Sequence, residues 1–187
     1  MEDLVKTAQE SIYKEIQETG TPPKLQIDLS YEVGIKLAKN LNANVNVVKI
    51  GTLLMDLLIG RAIKENRQNE HIQMSLEGAN AILKRFNIKE NIKENIRHCI
   101  LEHHGVKKFY SVESEICCNA DCYKFLSIRG FLYAVRFMRD MPFEDLVKLL
   151  SAKFNEKSNA LTLDICKEEL KKEQVVISDI LNYCNRK

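Results

Sequence analysis

Apolar residues recur along this chain at intervals of three and four, and the two-residue alternation of strands is nearly absent. Leu4, Ala8, Ile12 and Ile16 stand four apart and predict a first helix over residues 3–19, ended by Gly20-Thr21-Pro22-Pro23. Val33, Leu37, Ala38 and Leu41 mark the buried face of a second helix over 30–41. Beyond the Asn42-Ala43-Asn44 turn, residues 45–58 are apolar on most sides, the pattern of a central buried helix. Residues 60–69 are polar and predict a connecting stretch. Ile72, Ser75, Leu76, Ala79, Ile82 and Leu83 give an amphipathic helix over 71–86. Ile96, Cys99 and Ile100 give another over 92–104, which Gly105 stops. A helix over 114–126 follows. Past Arg129-Gly130 come two or three more, split by Met141-Pro142, the last over 163–184.

The expected architecture is therefore all-α, in one domain over residues 1–187, long enough for a substantial core. A formal charge of +2, spread without a like-charge block, gives no argument for nucleic acid or membrane as a partner. No stretch has the length of a membrane span, and the acidic start Met1-Glu2-Asp3-Leu4 lacks an apolar signal region, so cytoplasmic residence is the expectation. The six cysteines, Cys99, Cys117, Cys118, Cys122, Cys166 and Cys184, read as free thiols in a reducing compartment.

The polar residues that interrupt the apolar pattern carry the chemistry. Asp56 lies in a strongly apolar helix, and so does Asp121 within Ile116-Cys117-Cys118-Asn119-Ala120-Asp121-Cys122. A carboxylate there is costly unless it is paired, hydrogen-bonded or metal-bound. His71 opens a helix. His103 and His104 close another, and since neighbours in sequence cannot share a helix face, His103 is expected inward and His104 outward. His98 reads as an ordinary helix residue. Carboxylate and imidazole donors together suit Fe, Mn, Co, Ni or Zn, and a mostly carboxylate set leans toward Mg or Mn. Arg61, Lys64 and Arg67 read equally as phosphate contacts or as a solvated, charge-mixed loop. Cys117, Cys118 and Cys122 with a nearby histidine form a rival zinc set, although they read as core.

Taken in order, Leu53-Leu54-Met55-Asp56, Glu70-His71, Glu102-His103-His104-Gly105 and Asn119-Ala120-Asp121 resemble the HD phosphohydrolase superfamily. The resemblance covers residues 30–126, with 130–187 as family-variable helices. It implies an HD-domain-like helical bundle with additional C-terminal helices. It also implies a divalent metal (Mn, Fe, Ni, Co, Mg or Zn) among Asp56, His71, His103, His104 and Asp121. Asp56, His71, His103 and Asp121 would form the catalytic set, with Arg61, Lys64 and Arg67 steadying the charge of a nucleotide or other small-molecule phosphate ester.

The chain departs from the family pattern in two places. Met55 replaces the histidine of the His-Asp doublet, and no histidine precedes His71, leaving Gln26, Asp28, Tyr31 or Glu32 as the only candidate oxygen donors there. Losing even an outer-shell partner weakens a metal roughly 10- to 100-fold. Two further expectations follow. One is a degenerate domain that binds a phosphorylated ligand without turning it over. The other is a helical interaction module whose last helix supports a homo-oligomer.

Overall fold

The structure is a computed structural model and describes residues 1–185. Among them are ten α-helices, one short 3-10 turn and no strand. The helices are α1 (Glu2–Thr19), α2 (Lys24–Asn40), α3 (Val45–Leu54), α4 (Ile59–Lys64), α5 (His71–Leu83), α6 (Glu90–Leu101), α7 (Val112–Leu126), α8 (Ile128–Phe137), α9 (Phe143–Ala160) and α10 (Asp164–Cys184). No helix among the described residues is long and apolar enough to cross a membrane.

The centre of the molecule is α7. It starts at Ser111, whose hydroxyl accepts from the Ser114 N–H while Ser114 returns the bond, a reciprocal cap that satisfies orphan donors at the helix start. Nearly all of its residues are buried, because α2, α3, α6, α8 and α9 all pack against it. The main core runs through Leu4, Ile27, Leu37, Ile50, Leu54, Ile100 and Leu126. A smaller cluster of Phe131, Ala134, Leu150, Ile177 and Leu181 joins α8, α9 and α10, with Phe154 touching both. Five cysteines are buried and Cys184 is exposed; the thiols of Cys117 and Cys118 face the Val48 and Ala160 carbonyls as core groups.

Four boundaries that bear on chemistry differ from the sequence pattern. Helix α3 stops at Leu54 rather than running to residue 58, so Asp56, expected inside a helix, lies in a turn. Helix α2 begins at Lys24 because extended Pro23 sits at its start, which brings Gln26, Ile27 and Ser30 into the interior. The polar stretch after residue 58 coils into α4, burying Gly60 and Ala62 and setting its charges outward. Helix α6 stops at Leu101. Residues 102–104 then form a turn, with the Gly105 N–H bonded to the Glu102 carbonyl.

Helices α3, α6 and α7 meet at Gly51, where an added Cβ would lie 2.6 Å from Cys99 Cβ and 2.7 Å from Cys117 Sγ. Gly51→Ala is therefore expected to lose about 1–3 kcal/mol through overpacking, measured by urea unfolding. An unchanged midpoint would mean these helices are not in close contact.

Candidate metal centre

Asp56 lies in the turn that follows α3, and a bond from the Leu58 N–H to Ser75 Oγ (3.1 Å) fastens that turn to α5. His71 is the first residue of α5, and its Nδ1 lies 2.7 Å from the Gln68 carbonyl of the preceding 3-10 turn. His103 and His104 stand in the turn after α6. That turn is held by buried Glu102, whose two oxygens take His98 Nδ1 (2.7 Å) and the Tyr110 N–H (3.0 Å). The outward placement expected of His104 is corrected here. Once the helix has ended, the rotation separating neighbouring residues no longer applies, and both rings face the same point. His98 stacks on Tyr110 away from it.

Asp56, His71, His103 and His104 each offer one ligand atom, and these atoms all lie within 4.8 Å of one another. Ring tautomers follow from the partners. The Gln68 and Ile100 carbonyls can only accept, so Nδ1 of His71 and of His103 (2.7 Å) carries the proton. His104 Nδ1 lies 2.9 Å from Glu156 Oε1, and the His104 contact first, with Lys153 and Lys157 behind it, holds that carboxyl ionised, far below its ordinary range. The Nε2 edges of the three rings thus face the same point. His71 Nε2 and His104 Nε2 lie 3.3 Å apart, within hydrogen-bond distance of each other. His103 is fully buried; its Nε2 has no hydrogen-bond partner and lies 3.4 Å from Asp56 Oδ1. Burial also lowers the pKa of His104, which disfavours a second proton there. A cation satisfies all four atoms at once, and Nδ1–H bonds to carbonyls and a carboxylate are the usual outer-shell support of metal-bound histidine. The group can hold a metal ion. Three imidazoles and one carboxylate suit Zn, Fe, Co, Ni or Mn better than Mg, which seeks oxygen.

Next to this group lies a chain of ion pairs. Lys124 Nζ is 2.7 Å from both Asp56 Oδ2 and Asp121 Oδ1, and Lys157 Nζ is 2.6 Å from Asp121 Oδ2 and 2.9 Å from Glu156 Oε1. Lys124 is 4 % exposed and Lys157 2 %. Burial by itself would raise both aspartates. The Lys124 ammonium outweighs it, helped by His103 at Asp56 and by Lys157 at Asp121, and both carboxyls stay well below their usual range. Burial likewise works against charge on the lysines, and the aspartates outweigh it and raise them. Asp121, expected as a ligand, is thus occupied by two ammonium groups and stands outside the four-residue group.

The remaining candidates are placed as follows. Arg61 pairs with Glu15 at 2.6 Å, Lys64 Nζ donates to the Glu18 carbonyl, and Arg67 pairs with Glu65 and Glu70, so all three are engaged on the outer surface. The cations that border the pocket are Lys124, Lys153 and Lys157. Lys124 stands one turn after Asp121, and Lys153, Glu156 and Lys157 share one face of α9. That i, i+3, i+4 spacing is present in the sequence, and no reading of the sequence singled it out. Of the substitute donors, only Gln26 borders the pocket, its amide donating to the Lys124 carbonyl (3.2 Å). Asp28 is held by Tyr13 and Lys24, and Glu32 by Arg129.

Lys124→Met would leave two buried carboxylates short of their shared partner and is expected to destabilise by about 3–5 kcal/mol near neutral pH. In the native protein the depressed carboxyls contribute stability above their unfolded values of ~4, and that contribution is lost as pH falls through the folded values. In the variant, burial raises the same groups, so protonation relieves them and the difference from native narrows between pH 7 and about 4. Urea unfolding across that range checks it; a constant difference would mean the ammonium does not set the carboxylates.

No protein-family model matches the sequence, and the search of curated proteins finds no match. Among solved structures, a structural-genomics crystal structure of a protein from Lactobacillus plantarum is similar, with a TM-score of 0.67 and 15 % identity. The alignment covers 98 % of this chain and 95 % of that one. At that identity the likeness speaks for the fold alone: an all-helical arrangement shared over almost the whole chain.

Proposed function

We propose that this chain is an HD-type metal-dependent phosphohydrolase with one divalent ion, held by Asp56, His71, His103 and His104. The observation that carries the reading is the convergence of three imidazole rings on the Asp56 carboxylate, with the Nδ1 of each beside an oxygen atom of its own. An ion bound there supplies Lewis acidity and a source of hydroxide near neutral pH. Asp56 serves both halves of the site, with Oδ1 toward the imidazoles and Oδ2 on Lys124. Around the pocket the charges of Asp56, Asp121 and Glu156 are balanced by Lys124, Lys153 and Lys157. A divalent ion therefore leaves the site net positive and suited to a phosphate ester. Lys153 pairs with Glu156 at 2.8 Å and is about a third exposed, so it is the cation freest to turn toward phosphate oxygens. Lys124 and Lys157 fix the carboxylates instead.

A second reading, ligand binding without turnover, is favoured by one observation. The Lys124 ammonium lies between Asp56 and Asp121, where intact family members would use a metal.

The test is metal content by mass spectrometry after equilibration with Mn, Co, Ni or Zn, followed by a phosphatase screen. Near-stoichiometric metal is expected in the native protein and in Asp121→Asn. His103→Ala and His104→Ala should each weaken binding at least tenfold. Metal lost in Asp121→Asn but kept in the histidine variants would move the ion to the acidic half and overturn the assignment. Full occupancy without hydrolysis of any phosphate ester would favour the binding reading.

A further inference from the structure

The pocket beside the candidate centre is divided by chemistry. At its inner end stand Asp56, Asp121, His71, His104, Lys124 and Lys157. Apart from Thr21, Gln26 and Lys153, the rest of its wall is hydrocarbon and aromatic, chiefly Ile59 and Ile63 from α4, Phe125 from α7, Phe137 and Met138 at the end of α8, and Leu149 from α9. Ile63 and Phe137 are 41 % and 44 % exposed and form the mouth. There Pro23 and Phe137 also border an adjoining groove in which half-exposed Leu25 stands among the charged Lys24, Arg136, Arg139 and Asp140. The cavity volume is about 210 Å³, below the roughly 300–1,000 Å³ of usual small-molecule sites.

Resting on the phosphohydrolase reading for its anionic end, we infer that the ligand is a phosphate monoester of a short hydrocarbon alcohol rather than a nucleotide. The polar groups of the inner end are committed to one another, and the Gln26 amide donates to the Lys124 carbonyl. The apolar wall therefore has little to offer the hydroxyls of a sugar or the edge of a base. Each such group buried without a partner weakens binding about tenfold. An alkyl chain meets no such penalty, and each methylene it buries strengthens binding about fourfold. In the reaction, water oxygen forms the new bond to phosphorus, the ester P–O bond breaks, and one water proton ends on the oxygen of the departing alcohol. Nothing else is consumed.

The test compares methylphosphonate, hexylphosphonate and deoxyadenosine monophosphate as ligands of the Mn-equilibrated full chain by calorimetry, with hexyl phosphate as substrate. Hexylphosphonate is expected to bind at least tenfold more tightly than methylphosphonate and than the nucleotide. Phe137→Ser, at an exposed position that leaves the core intact, should reduce the chain-length preference at least threefold. Equal affinity for the two phosphonates, tighter binding of the nucleotide, or no binding of any of the three would overturn the inference. Chain-length-dependent binding with no release of phosphate from hexyl phosphate would uphold it and count against the hydrolase reading alone.

Discussion

Two ammonium groups set between three carboxylates hold the working end of this molecule together. Asp56, Lys124, Asp121, Lys157 and Glu156 form an unbroken chain from the turn after α3, through α7, to α9. Its central members are almost wholly buried, so none can be removed without stranding a neighbour's charge in a low-dielectric interior. Breaking one such pair costs on the order of 3–5 kcal/mol, against a total stability of about 5–15 kcal/mol for a typical domain. Apolar contacts between α7 and α9 tolerate small slides. Nζ–Oδ contacts of 2.6–2.7 Å do not. The chain thus fixes the register of the two helices and, through Glu156, the orientation of the His104 ring.

The same chain decides where a metal can sit. A carboxylate with both oxygens on ammonium groups is a poor ligand, which describes Asp121. Asp56 gives one oxygen to Lys124 and keeps the other for the imidazoles. The donors that remain are nitrogen-rich, and their distances place them together without any help from Asp121. Ion pairing therefore takes both oxygens of Asp121 and leaves one oxygen of Asp56 beside the imidazoles.

Much of the fold was legible, because helical periodicity and the Gly and Pro positions are local properties. The buried aspartates were legible because a charge inside an apolar stretch demands an explanation wherever its partner lies, although Asp56 proves to stand in a turn and only Asp121 in a helix. His71 and His103 could be picked out by order along the chain. His104 could be listed, but its direction could not be read, because that depends on α6 ending at Leu101 rather than at Gly105. Nothing local announces that end. It is held by Glu102, whose partners include Tyr110 across the turn. The lysines were the hardest to read. Lys157 lies in a stretch whose composition suits solvent, and the packing of α9 on α7 buries it; Lys124 lies in the apolar stretch Cys122-Tyr123-Lys124-Phe125-Leu126, where its burial invites the same question as that of Asp121. Long-range pairing of that kind has no periodicity.

Met55 and Lys124 are best understood together. A histidine at position 55 would add a ligand beside Asp56, yet the space between the two aspartates already contains an ammonium 2.7 Å from each. A divalent ion brought there would face that charge at short range in a poorly screened interior, where Coulomb repulsion far exceeds its value in water. Met55 itself is fully buried. Introducing a histidine at position 55 alone would therefore leave the ammonium between the two aspartates, while removing Lys124 alone would strand two carboxylates. The two residues make one consistent arrangement, in which the acidic half is filled from within and the imidazole half is left to bind.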